Sequence, residues 1–278
     1  MLLLFRLLGY LPLRALHALG AVLGVMAYVL SERSRRYTRQ NLAIAGLAQQ
    51  VSPWRVMIEE GRAATELAWI WSHSQQEIVA KVVSVSGWDH VDKARNEGKG
   101  IVFFTPHLGC FEITAQYFAT QAPITVLYRR PKQAWLVPLV EQGRGNNLSI
   151  AAADVSGVRA LLRALRAGEA IGMLPDQVPG NGEGVWAPFF GKPAYTMTLA
   201  ARLAANSATV LLIYAKRLPR GIGYHIEVQP FTERLAGTPE ENAAAINRAI
   251  EAQIRKCPQQ YAWNYNRYKV PAGAKPPP

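Results

Sequence analysis

The 278-residue sequence predicts an α/β fold, a mostly parallel sheet flanked by helices, preceded by an N-terminal membrane-anchoring helix. Three observations lead there. Strand-like runs alternate with helical ones over most of the chain, the pattern of a parallel sheet covered on both faces. Two of the runs, GIVFFT at 100–105 and AIGML at 170–174, are continuously apolar, as strands buried on both faces are. The first thirty residues are strongly apolar, with Arg6, Arg14 and His17 as interruptions.

The stretch from Ala15 to Leu30 carries no formal charge but is marginal for crossing about 30 Å of hydrocarbon. No clear small-x-small cleavage site precedes SERSRRYTRQN, which argues against a signal peptide. Too few polar residues remain for the solvent face of a soluble helix. The segment therefore reads as an anchor, spanning or lying at the interface. Arg33, Arg35, Arg36 and Arg39 would place the rest of the chain on the cytoplasmic side, beside anionic headgroups, although Arg6 and Arg14 make both flanks basic. Ser52-Pro53 starts a helix running to about His73. Next come a strand at 81–88, a short helix ending at Gly98, the buried strand at 100–105, and a helix at 113–120. A strand at 124–128, a helix at 132–143 despite Pro138, and a strand at 148–152 come after it. A helix ending at Gly168 leads to the buried strand at 170–174 and then a long loop, 175–195, whose length hints at function. Thr196 would cap a helix reaching Asn206. Strands at 208–217 and 223–230, joined by LPRGIG, read as an antiparallel hairpin, and a helix at 239–256 closes the domain. The organisation is thus an anchor over 1–30, one domain over 31–270 and a disordered proline-rich tail over 271–278.

The 31 basic residues exceed the 19 acidic ones, a formal charge of +12. Beyond plain solubility, such an excess suits a polyanionic partner: nucleic acid, an anionic membrane, phosphorylated substrates or an acidic carrier protein. No zinc-finger, helix-turn-helix or RNP-like pattern supports nucleic acid. Two cysteines, Cys110 and Cys257, make neither a disulfide framework nor a zinc set, and a reducing compartment is the simpler expectation.

The chemistry-bearing stretch is FFTPHLGCFE, 103–112. On an ideal helix an offset of five separates His107 and Glu112 by about 140°, so the pair makes sense only across an element boundary. Thr105 precedes a proline and is biased to extended geometry. His107 then falls just past a strand, and Glu112 in the first turn of the next helix, where an acid is favoured. Ligands of open α/β sheets gather at the carboxyl ends of strands. A histidine there with an acid partner can act as a general base. By chance about 0.3 matches to H-x4-[DE] are expected in this composition, so the motif alone is weak. A metal reading lacks a third ligand nearby, and Cys110 is poorly offset from His107 for a nucleophile and base pair.

Taken with the segments around it, PHLGCFE resembles the first motif of the glycerolipid acyltransferase superfamily, in the glutamate form of the late acyltransferases of lipid A biosynthesis. RRYTRQNL after the anchor, YRRP at 128–131, GRG at 143–145, LPDQ at 174–177 with FFGKPAYT at 189–196, and CPQQYAWNYNRYK at 257–269 resemble that family's further blocks, in order. Asn266 departs from it, since relatives often carry a second arginine there.

The resemblance implies O-acyl transfer from an acyl carrier protein thioester to a hydroxyl of a lipid A precursor at the cytoplasmic face of a bacterial inner membrane. His107 would be the base and Glu112 its orienting and charge-balancing partner, with no metal, cofactor or acyl-enzyme. Arg144 would clamp a phosphate of the lipid acceptor, with Arg129 and Arg130 as weaker candidates. Asp176, at the end of a buried strand, would shape the acceptor site or brace a neighbour. Tyr261, Trp263 and Arg267 read as structural. The other readings are an acyltransferase for another membrane lipid, a non-catalytic lipid-binding protein, and a thioesterase.

Overall fold

The computed structural model describes residues 2–128, 137, 147–205 and 208–277. Apart from Val137, the helix expected over 132–143, together with Arg129, Arg130 and Arg144, lies outside these residues.

The segment expected as the anchor is two helices. α1 (Leu2–Gly9) and α2 (Leu13–Leu30) are separated at Pro12. α3 (Glu32–Ile44) comes next, capped by the Ser31 hydroxyl on the Ser34 amide; the arginine run at 33–39 that reads only as a basic flank is thus helical. α4 (Pro53–Ile70) begins with proline at its first position, as the sequence indicates. α5 (Gln75–Val79), unpredicted, is set by a capping box between Ser74 and Glu77.

The sheet has seven strands: β1 (Val82–Ser86), β2 (Ile101–Phe104), β3 (Ile124–Tyr128), β4 (Leu148–Ala152), β5 (Ala170–Met173), β8 (Thr209–Arg217) and β9 (Tyr224–Pro230). Their spatial order is β1-β9-β8-β2-β5-β3-β4, parallel except for the β8–β9 hairpin. The covering helices are α6 (Trp88–Glu97), α7 (Phe111–Ala119), α8 (Val155–Arg166), α9 (Leu199–Ala204) and α10 (Pro239–Lys256). β2 and β5 sit mid-sheet and every residue in both is buried, which explains their unbroken apolar runs. Two core clusters result, one on each face of the sheet.

The segment 175–195 expected as a long loop is largely a second sheet, an antiparallel hairpin of β6 (Gly184–Phe189) and β7 (Lys192–Met197). Pro188 stands opposite Pro193. Phe190 and Gly191 both hold positive φ in the two-residue turn, as a primed turn requires. Thr196 therefore lies inside β7 rather than capping α9, and its hydroxyl accepts from the buried Arg267 at 2.7 Å. Trp263 is likewise buried and structural, donating to the Pro258 carbonyl at 2.6 Å. In the tail, the Lys275 carbonyl accepts from the Trp186 indole at 3.0 Å.

α2 packs along α4 through small residues. A Cβ on Gly61 would fall 1.9 Å from the Gly20 carbonyl oxygen, and one on Gly24 2.1 Å from that of Met57. The face toward α4 is Leu13, Leu16, His17, Gly20 and Gly24. The opposite face exposes Val22, Leu23, Val25, Met26, Val29 and Leu30. By length and composition α2 could cross a membrane.

Candidate active site

β2 and β5 are parallel neighbours with Phe104 opposite Met173. Each ends three residues before a polar side chain, in Thr105-Pro106-His107 and Leu174-Pro175-Asp176. The strands thus deliver His107 and Asp176 to one edge, at equal offsets from paired residues. Asp176 is 2% exposed. One of its oxygens accepts from the His107 backbone amide and the other pairs with the ring Nδ1, each at 2.8 Å. Gln177 places its amide 3.0 Å from the ring Nε2. With Nδ1–H assigned to Asp176, Nε2 is left as the basic nitrogen.

Burial alone would lower the His107 pKa, but the Asp176 carboxylate outweighs it, with Glu60 and Glu112 adding, so the imidazole stands above its ordinary value. Burial alone would raise Asp176, and the same pairing holds it below the usual carboxylate range. Glu112 sits in the first turn of α7. It lines the same cavity as His107, and its charge helps to hold the proton on the ring. The ring's direct carboxylate partner, which sequence spacing suggests to be Glu112, is Asp176 in this geometry.

The turn after His107 is fixed from two sides. Gly109 holds φ +62°, and a Cβ there would lie 2.0 Å from the Ala215 carbonyl oxygen. Its amide donates to the Gln260 carbonyl at 3.0 Å, and the Ala262 amide donates to the His107 carbonyl at 3.2 Å. The closing CPQQYAW block therefore holds the loop that carries His107. Behind it lies the buried Arg217, which sequence reading did not single out. It donates to Glu66 and Glu59, each at 2.8 Å, and its guanidinium lies 3.4 Å from the Gly109 carbonyl. His17 of α2 reaches Glu66 at 3.1 Å. Burial alone would raise Glu66; Arg217, with His17, overrides this and holds it at about 2.

An apolar cavity of about 1100 Å³ opens at His107 and runs between Trp71, Phe103, Ile124, Leu148 and Ile213. Cys110 is 2% exposed and burial pushes its thiol well up, so it is no nucleophile at neutral pH. Among the described residues no cluster of three metal-ligating side chains occurs.

The arrangement is an imidazole polarised by a buried carboxylate at the mouth of an apolar cavity, a pair chemically able to act as a base. Residues 1–270 match the family described as bacterial lipid A biosynthesis acyltransferase. The chain is 27% identical over 269 residues to the lipid A biosynthesis palmitoleoyltransferase of Escherichia coli strain K12, covering 94% of this chain and 87% of that protein. It is 27% identical over 271 residues to the lipid A biosynthesis lauroyltransferase of the same strain, with the same coverage. A Haemophilus influenzae lipid A biosynthesis acyltransferase is 30% identical over 182 residues, 64% of this chain and 56% of that one.

Proposed function

The chain belongs to the bacterial lipid A biosynthesis acyltransferase family, and from that premise we propose that it moves an acyl group from an acyl carrier protein thioester to a hydroxyl of a phosphorylated lipid A precursor. The observation that carries the reading is His107, braced by Asp176, at the mouth of the apolar cavity. The cavity takes the acyl chain and leaves the thioester carbonyl beside the ring. Nε2 removes the proton of the acceptor hydroxyl, whose oxygen attacks that carbonyl. The C–S bond breaks, and the imidazolium returns the proton to the departing thiolate. Asp176 fixes the tautomer and balances the imidazolium, and Glu112 adds negative charge from the first turn of α7. Arg144 and Arg129 would hold acceptor phosphates. The apolar face of α2 and the arginines of α3 would hold the enzyme on the cytoplasmic face of the inner membrane.

The test is acyl transfer in washed membranes, with labelled acyl carrier protein thioesters and a tetra-acylated precursor. The wild type should make a product one chain heavier, and His107→Ala should lose about 100-fold or more. Glu112→Ala should also fall. Free acid in place of the acylated lipid would mean hydrolysis. Full activity in His107→Ala would remove the mechanism.

A further inference from the structure

A second cavity, of about 510 Å³, meets the apolar one at His107, Phe111 and Gln177. Its lining is polar. Arg33 and Ser34 come from α3, Glu60 from α4, and Asn264 and Tyr265 from the closing segment. Two further polar residues in its wall are already engaged: Glu59 accepts from Arg217, and the Gln260 side chain pairs both ways with the Arg217 backbone, at 2.8 and 2.9 Å. Glu60 is different. The acyl-transfer mechanism gives it no task, yet a carboxyl is held in a mostly enclosed place beside the reacting ring. Burial pushes its pKa up to about 7, against the pull of Arg217, His107 and the hydrogen-bonded Asn264 amide. Such a group costs stability when ionised and is retained more readily with a use than without.

We propose that this polar cavity receives the hydroxyl- and amide-bearing sugar headgroup of the lipid acceptor, with Glu60 and Asn264 hydrogen-bonding to it next to His107. The inference rests on the acyltransferase reading and adds the acceptor subsite. Three observations favour a sugar. The paired carboxyl and amide offer donors and acceptors together, as a ring bearing hydroxyl and acylamide groups requires. Arg33 is the one arginine among the described lining residues, so the wall lacks the arginine cluster that would favour a phosphate. The cavity also has Arg33 and Ser34 in its wall, from the first turn of α3, directly after the exposed apolar face of α2. A lipid whose chains stay in the bilayer can present its headgroup there. An attached hydroxyacyl chain then reaches Nε2 while the thioester arrives from the apolar side.

The test compares Glu60→Gln and Asn264→Ala with wild type by varying the precursor at saturating acyl carrier protein thioester, then the reverse. The acceptor KM should rise about tenfold in each variant, by more than kcat falls, with the donor KM little moved. The double variant should lose less than the product of the single effects, because the two side chains serve one ligand. Thermal unfolding at pH 8 is the fold control. Burial holds the Glu60 pKa at about 7 despite Arg217, His107 and Asn264, so at pH 8 folding carries an ionised carboxylate at a cost that the neutral amide removes, and Glu60→Gln should melt no lower than wild type. An unchanged acceptor KM in both variants overturns the proposal while the functional reading stands. A rise in donor KM instead would place the carrier's thioester arm in this cavity and also overturns it. If the wild type transfers nothing to the precursor, the functional reading itself falls and takes the subsite with it.

Discussion

The proton affinity of His107 is a balance of burial and charge that one atom pair decides. Desolvation pulls the imidazole toward neutrality, and the Asp176 carboxylate pulls it back above its ordinary pKa. A general base must be unprotonated to act. In the wild type, therefore, transfer should rise with pH through a pKa above the usual 6.5 for histidine. Asp176→Asn removes the charge and leaves the shape. Burial then dominates, and the acidic limb of the kcat/KM profile should move to lower pH. The plateau should fall by about 10²–10⁴, because the tautomer and the imidazolium lose their support. A pH–rate series on both enzymes reads the two effects separately. An unmoved limb would show that Asp176 does not set the histidine's proton affinity. The dyad was half legible in sequence. His107 stood out by the proline before it, but its partner is 69 residues away and depends on which strands are neighbours. The available signal was the repeated form, an apolar run followed by x-Pro and then a polar residue, in two strands of equal burial.

Elements whose cause is local were legible from the chain; those whose cause is distant were not. α10 starts and stops at the predicted residues because Thr238, Pro239 and Glu241 make its capping box and first turn. The β8–β9 hairpin was equally plain from its turn. β6 and β7 were hidden by Pro188, Pro193 and the glycines, which read as loop although an edge hairpin tolerates them. α4 was found as a helix, but its charged residues, among them Glu59, Glu60 and Glu66, were not interpreted. Its small-residue contact with α2 could not be read either, since glycine in a helix is ambiguous until its neighbour is known. That contact is testable. Gly61→Leu would drive a side chain into the Gly20 carbonyl, where a Cβ alone already lies within 1.9 Å. The helices must separate, loosening the His17–Glu66 pair that ties α2 to Arg217 and through it to the Gly109 turn. The variant should lose about 1–3 kcal/mol in urea unfolding, and more if the pair breaks. A wild-type midpoint would mean that the packing contributes nothing to the fold.

At the scale of the whole molecule, the question is how a helix of membrane-like composition sits when it belongs to the domain. α2 is fastened along its length. Near its start Arg14 packs against Gly221, between β8 and β9. At mid-helix Gly20 meets Gly61, and farther on Gly24 meets Met57. After its end α3 is held by Asn41, which donates to the carbonyls of Trp263 and Tyr265 at 2.7 and 2.8 Å. A helix whose two ends touch the same polar domain cannot carry its N-terminus across a bilayer unless α4 goes with it. α4 bears Glu59, Glu60, Arg62 and Glu66, each costly to place in hydrocarbon. α2 should therefore lie along the interface with Val22, Met26, Val29 and Leu30 in the lipid and the α3 arginines among the headgroups. Cysteines placed at Tyr10 and Gln40, before and after α2, distinguish the two geometries. The native Cys110 and Cys257 are 2% and 1% exposed and should stay silent to a membrane-impermeant maleimide. In inside-out inner-membrane vesicles both introduced thiols should label, and in right-side-out vesicles neither. Labelling of Tyr10→Cys from the opposite side to Gln40→Cys would make α2 a true span. The contacts between α2 and α4 would then have to break in the membrane-bound enzyme.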